Sequence, residues 1–219
     1  MDDPRFLIDG LIQYLGLIML LTFHEFGHAW MALKCGDDTA QLQGRVSLNP
    51  LVHIDLVGTV IMPLLMIFLS ASGSGLGRFL VGWAKPVPVN LDNLRNPRMD
   101  DILVTLAGPW MNLLLGIMLM GLARIGILVH SEGMAQICFQ MAHLSLLLCF
   151  FNLLPIPPLD GSRILRVIIG MSYETYFQLA RYGFLILILV WQVPPVRQAI
   201  AGVTVASETA IAGWFGLPL

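Results

Sequence analysis

A metal-binding pattern follows directly on a strongly apolar run near the start of this chain. Residues 15–23 are almost all apolar, and they lead into His-Glu-Phe-Gly-His, which has the form H-E-x-x-H. On a helix, this spacing puts His24 and His28 one turn apart on one face, with Glu25 beside them as a general base. These are the residues of a zinc hydrolase. Because such side chains are costly in a transmembrane run, the pattern predicts a site within or at the edge of a bilayer.

The composition supports a membrane protein. Of the 219 residues, 57% are hydrophobic and only 12% are charged, and the mean hydropathy is +0.78. A soluble domain has about 25% charged residues. The chain is therefore predicted to be an all-α polytopic membrane protein that contacts the lipid bilayer. We expect one intramembrane domain over residues 1–219, with a core of about 6–169. A net charge of −2 argues against a nucleic-acid partner.

Apolar segments along the chain predict about five to six transmembrane segments. Residues 199–219 are weakly apolar and form either an interfacial helix or a sixth span. The five clear segments cover residues 6–33, 54–69, 102–129, 134–154 and 176–193.

The distribution of Lys and Arg predicts the topology. Basic residues follow the first segment, precede the third and follow the fourth, which places Arg45, Arg95 and Arg163 in the cytoplasm. The N-terminus is then outside, and the active site faces the cytoplasmic side of the cell membrane. Both flanks of the second segment become cytoplasmic, so the chain must return through a re-entrant or short extended β-like segment near 73–89.

Two prolines shape the end of that returning segment. Pro86 and Pro88 disfavour a helix in residues 83–89, whereas Val87 and Val89 suit an extended strand. An edge strand there could pair with an unwound substrate through backbone groups. The alternative is a simple surface loop.

A catalytic zinc site needs a third protein ligand and leaves a fourth position for water. The best candidate is Asp160, because Pro155, Pro157 and Pro158 end the fourth segment just before it. Backbone unwound in this way should line a polar cavity rather than face lipid. Alternatively, Asp160, which precedes Gly-Ser at the start of a helix over residues 163–169, caps the N-terminus of that helix.

Several blocks of the sequence resemble the site-2 protease family of intramembrane zinc metalloproteases. They are His24–His28, Asn152 with Leu-Asp-Gly at 159–161, Ala-Gly-Pro-Trp-Met-Asn at 107–112, and residues 47–55 and 83–89. The last two blocks resemble the compact bacterial and archaeal branch without PDZ or CBS domains. The resemblance implies one Zn²⁺ per chain held by His24, His28 and Asp160. It also implies that Glu25 is the catalytic acid/base.

Other polar residues have more than one possible role. Asn152 is expected to contact the substrate or the oxyanion, although a helix–helix hydrogen bond is an alternative. Interhelical bonding is expected for Asn112. His53 could approach the mouth of the site or cap the local turn, and His143 is expected to be packed and hydrogen-bonded within the fourth segment.

These residues predict a zinc metalloendopeptidase that acts in regulated intramembrane proteolysis. It would hydrolyse peptide bonds in or near the transmembrane segments of membrane-protein substrates, with Glu25 moving the proton from water to the leaving amine. A zinc transporter and a catalytically silent scaffold are the alternatives. The single polar cluster speaks against the transporter, and the intact Glu25 against the scaffold. The sequence indicates neither the substrate nor the oligomeric state.

Overall fold

The computed structural model describes residues 4–71 and 82–217, and every regular element in those ranges is helical. The predicted all-α class is therefore confirmed for this part of the chain. Two 3₁₀ turns (Pro50–Val52 and Leu91–Asn93) and a π-helical turn (Leu56–Ile61) lie between the α-helices. The α-helices of the described residues are α1 (Pro4–Cys35), α2 (Thr39–Leu42), α3 (Met62–Ala71), α4 (Pro97–Leu128), α5 (Glu132–Asn152), α6 (Asp160–Ile168), α7 (Tyr173–Ala180), α8 (Gly183–Trp191) and α9 (Pro194–Trp214).

Three long helices form the centre of the protein. Stretches long and apolar enough to cross a membrane occur at Gly10–Cys35, Pro97–Leu128 and Glu132–Asn152. Helix α4 lies between α1 and α5 and packs extensively on both. Glycines permit this approach. A Cβ at Gly27 of α1 would lie 2.6 Å from the Ala107 carbonyl oxygen of α4, and a Cβ at Gly126 of α4 would lie 2.9 Å from the Ala135 amide nitrogen of α5. Lipid-embedded helices associate through such close packing rather than through hydrophobic burial from water.

The largest buried cluster joins α4, α5 and α9, and it includes Met120, Ala142, Leu146 and Ile211. Met120, Ala142 and Leu146 are fully inaccessible to solvent. This cluster fixes the long helices against one another at the end of α4 that is distant from His24 and His28.

The expected five to six spans are not confirmed. The second apolar segment is a π-helical turn followed by the ten-residue α3. The fifth is divided into α7 and α8, and α8 has only nine residues, whereas a span needs about 20. Helices α8 and α9 could form one broken span, although they meet at 84°. The described residues therefore provide three spanning helices, or four if this bent pair counts.

The predicted return near 73–89 falls partly outside the described residues, which omit 72–81. Residues 82–90 are irregular, and no β-strand forms in the part of the chain that the structure describes. The reason is that the backbone of this segment bonds to turns instead of to a neighbouring strand. The Trp83 amide donates to the Gly58 carbonyl, the Thr59 hydroxyl to the Trp83 carbonyl, and the Lys85 amide to the His53 carbonyl.

Candidate metal centre

The two histidines of the H-E-x-x-H pattern face one point, as the helical spacing predicts. His24 and His28 lie on α1 and are 4% and 5% exposed. Their Nε2 atoms are 3.1 Å apart, and the rings meet edge to face. Both side chains are long enough to offer one nitrogen to a shared ion.

Asp160 reaches the same point from a distant part of the sequence. It opens α6, eight residues after α5 ends at Asn152. Its Oδ2 lies 3.1 Å from His24 Nε2 and 3.3 Å from His28 Nε2. Among the described residues, His24, His28 and Asp160 therefore form the group of side chains close enough together to hold a metal ion, as predicted.

The spacing of these three atoms fits a tetrahedral zinc site. Ligands about 2.0–2.1 Å from zinc are separated from one another by about 3.3 Å in a tetrahedron, and the observed separations are 3.1, 3.1 and 3.3 Å. In addition, Asp160 Oδ2 is buried and accepts no well-formed hydrogen bond. A buried carboxylate oxygen without a donor is costly unless a cation satisfies it.

The electrostatics keep the Asp160 carboxylate charged. Burial alone would raise the pKa of this carboxyl, but attraction to the His28 and His24 imidazoles outweighs the burial and lowers the pKa well below its usual range. A deprotonated carboxylate is the form that binds a metal.

Asp160 does not cap α6. The cap position belongs to Leu159, and Asp160 is the first helical residue. The capping alternative is therefore wrong, and the carboxylate is free to turn inward. The tight turn requires glycine at position 161, since a Cβ there would lie 2.1 Å from the Leu153 carbonyl oxygen.

A buried ion pair anchors α6 to α4. Asp101 on α4 is fully buried and accepts hydrogen bonds from Arg163 at 2.7 Å and from Arg166 at 2.5 Å. Although burial opposes it, the charge of Asp101 raises the pKa of the Arg163 guanidinium. Sequence reasoning missed this anchor, because an acidic residue in the first turns of a helix usually only complements the helix dipole.

Helix α4 also contacts both imidazoles. The Val104 carbonyl oxygen lies 2.7 Å from His28 Nδ1, and the Asn112 amide nitrogen lies 3.2 Å from His24 Nδ1. Between them, Gly108 lets the helix touch the rings: a Cβ at this position would lie 2.3 Å from His28 Nε2. The interhelical role expected for Asn112 is thus present.

Glu25 stands beside the trio and is not part of it. Its Oε2 accepts a hydrogen bond from the Val87 amide at 3.2 Å. The buried Arg45 donates to the carbonyls of Lys85 and Pro86, which holds the same segment in place. The segment 82–90 therefore borders the site, but the Val87 N–H expected to pair with substrate is engaged by Glu25.

The remaining predicted residues bond to partners outside the trio. One amide N–H of Asn152 bonds to the Leu148 carbonyl of its own helix. His53 is buried, which lowers its pKa, and its Nε2 lies 2.8 Å from the Ser47 carbonyl oxygen, a local structural contact. His143 pairs with Glu208 at 3.0 Å, which links α5 to α9.

Comparison with known proteins agrees with this site. The family described as Peptidase family M50 matches residues 12–129 and 124–190. The protein named "Putative zinc metalloprotease YwhC" from Bacillus subtilis (strain 168) is 36% identical over 202 residues, covering 84% of this chain and 83% of that protein. "Putative zinc metalloprotease Rip2" from Mycolicibacterium smegmatis is 32% identical over 187 residues, covering 84% of this chain and 67% of that protein. No solved structure matches the chain significantly.

The chain belongs to Peptidase family M50, the site-2 protease family. The resemblance seen in the sequence is confirmed. With its long apolar helices, it is an integral membrane zinc metalloprotease, and zinc is the cofactor that the family implies.

Proposed function

We propose that this protein is an endopeptidase that cleaves the transmembrane segments of membrane-protein substrates within the bilayer, as in regulated intramembrane proteolysis. The convergence of His24, His28 and Asp160, with Glu25 adjacent but outside the ligand group, carries this proposal. The position of His24 along α1 supports the proposal. This residue lies eleven residues before the end of α1 at Cys35, an axial distance of about 16 Å, so the centre would lie inside the membrane but nearer to the C-terminal end of this span.

His24, His28 and Asp160 would hold one zinc ion per chain, through Nε2 of each histidine and Oδ2 of the aspartate. When bound, zinc supplies a Lewis acid that activates water and polarises the scissile carbonyl. His24 and His28 are buried and the Asp160 side chain is only 12% exposed, so little bulk water would screen the charges of these residues.

Glu25 would transfer the proton. Its carboxylate accepts the proton of the attacking water and then gives it to the leaving amine. The hydrogen bond from the Val87 amide fixes the direction of this carboxylate. Asn152 would contact the substrate or the developing oxyanion through its second amide N–H, since only one N–H is used by Leu148.

The substrate must be extended at the cleavage site, because a helical segment hides its carbonyls in hydrogen bonds. A transmembrane substrate would therefore unwind locally before cleavage. The segment 82–90 lies next to Glu25 and is the part of the described chain best placed to meet an unwound peptide. A substrate could pair with the Val87 N–H only if the hydrogen bond from this N–H to Glu25 were first broken.

Substituting Glu25→Gln tests the function directly. The purified protein should lose cleavage of a reconstituted transmembrane substrate by about a hundred- to ten-thousandfold, because general acid–base catalysis contributes about that much. Zinc content should stay at one per chain. Loss of zinc would make Glu25 a ligand, and retained cleavage would reject its catalytic role. A transporter would instead keep zinc flux in this variant. The inactive variant should also trap substrates for identification.

We propose that the N-terminus is extracytoplasmic and the site lies toward the cytoplasm of the cell membrane. The shared placement of Asp160, just after the end of α5, and of His28, near the end of α1, supports parallel orientation of these two spans. Single cysteines at the exposed positions Arg95 and Glu132 test it in a background without native cysteines. Position 132 should be labelled from outside and position 95 only after permeabilisation. Outside labelling of position 95 would reverse the topology.

A further inference from the structure

The two imidazoles of the centre have different partners at Nδ1. His28 Nδ1 lies 2.7 Å from the Val104 carbonyl oxygen. A carbonyl oxygen can only accept, so His28 donates its Nδ1–H to Val104. Nε2 is then the ring nitrogen left to bind a metal once it has lost its own proton, as a metal ligand requires.

His24 has a donor where His28 has an acceptor. The atom facing its Nδ1, at 3.2 Å, is the amide nitrogen of Asn112. If that N–H donates to Nδ1, the proton of a neutral His24 sits on Nε2, and Nε2 then has no lone pair for a metal. The orientation of the Asn112 amide therefore decides whether His24 can serve as a ligand.

Rotating the Asn112 amide by 180° exchanges its oxygen and nitrogen. The oxygen Oδ1 is buried and has no hydrogen-bond partner in this structure. Turned toward His24, it would accept the Nδ1 proton and leave Nε2 free, matching the arrangement at His28. Asn112 is fully buried, so it excludes solvent as a substitute acceptor at this position.

We propose that Asn112 is a positioning residue that makes His24 competent to bind zinc, by turning its amide oxygen toward the His24 Nδ1–H. The inference rests on the proposed ligand set. With the amide in this orientation, the nitrogen lies opposite His24 Nδ1 and the oxygen has no partner, so the opposite orientation satisfies both groups.

The backbone around Asn112 holds its side chain in reach of His24. Val104, Gly108 and Asn112 are spaced four residues apart on α4 and contact the two imidazoles along one helix face. The Ser145 hydroxyl on α5 donates to the Asn112 backbone carbonyl at 2.7 Å, an interhelical bond that does not involve the Asn112 side chain.

Zinc affinity of the purified full-length protein, measured by competition with a chelator, tests the proposal. Asn112→Leu removes the acceptor and should weaken zinc binding about ten- to a hundredfold, as expected for the partner of a metal-bound histidine. Asn112→Asp keeps an acceptor in place and should bind zinc at least as tightly as wild type. A mere packing role predicts the reverse order, because leucine suits a buried site better than an extra carboxylate.

Ser145→Ala is the matched control. It removes the neighbouring interhelical hydrogen bond but leaves the amide, so its zinc affinity should stay within about twofold of wild type. Asn112→Ala, which is smaller, replaces Asn112→Leu if the latter does not fold. Wild-type affinity without the acceptor, or equal weakening in Asn112→Asp, would overturn the inference. Failure of the wild-type protein to bind zinc would instead reject the ligand set itself.

Discussion

The two halves of the metal centre are built in different ways. The α1 half offers His24 and His28 from one continuous helix, so their relative position follows from four residues of local geometry. The α6 half offers Asp160 from a helix that begins after an irregular, proline-rich segment. The comparison shows that one half of the site is rigid by local structure, whereas the other depends on contacts between distant segments.

Those distant contacts can be identified. Asp160 is held by the close turn at Gly161 and by the ion pair of Asp101 with Arg163 and Arg166. The ion pair joins residues 62 and 65 positions apart in the sequence, whereas the turn at Gly161 contacts Leu153 in the segment just before it. Neither contact involves the histidines. Substitutions that break these contacts should therefore displace Asp160 and leave the α1 half of the centre in place.

Removing one ligand from each half should have the largest effect. Asp160→Ala and His28→Ala should each weaken zinc binding about a hundred- to a thousandfold and abolish cleavage, since three ligands share a binding free energy on the order of 10 kcal/mol. Metal analysis and a cleavage assay measure both effects. Full zinc content in Asp160→Ala would show that the α6 half does not contribute a ligand.

Breaking the ion pair that anchors α6 should have a smaller effect than removing a ligand. It should also distinguish the two halves of the centre, because only the α6 half depends on this ion pair. Asp101→Asn leaves Arg163 and Arg166 without their buried counter-charge and should destabilise the protein by about 3 kcal/mol. Zinc affinity should also fall, because α6 carries Asp160. Thermal unfolding and chelator competition are the measurements.

The exposed Asp92 provides the control for that substitution. Asp92→Asn makes the same chemical change without a buried partner and should leave unfolding and zinc affinity unchanged. If Asp101→Asn behaved like this control, the anchor would have no part in placing Asp160, and the contrast between the halves would fail.

The smallest effect is expected beside Glu25, in the α1 half. Val87→Pro removes the N–H that donates to Glu25 Oε2 and should slow cleavage about tenfold, the value of one hydrogen bond to a charged group. Val87→Ala keeps the N–H and should cleave at nearly the wild-type rate, and zinc content should be normal in both. Equal rates for the two variants would show that the Val87 N–H does not orient Glu25.

Much of this centre could be predicted from the sequence, because its chemistry depends on the spacing of residues within short segments. The spacing of His24 and His28 requires only a helix, and the need for a third ligand pointed to Asp160 after the prolines. The number of spans was harder to predict. Hydropathy does not distinguish one span from two short helices, and α7 and α8 divide where the Gly183 backbone approaches the Pro157 carbonyl.

By itself, therefore, the sequence determined the helical class, the membrane setting, the family's zinc chemistry and the three candidate ligands. The tertiary structure decided what surrounds that trio: the Val104 carbonyl and the Asn112 amide at the imidazoles, the Asp101 anchor of α6, and the Val87 amide at Glu25. The physical reason is the distance along the chain between the residues that interact. Ligand spacing on a helix is set within one turn, whereas these partners come from segments more than 60 residues away and meet only when the helices pack.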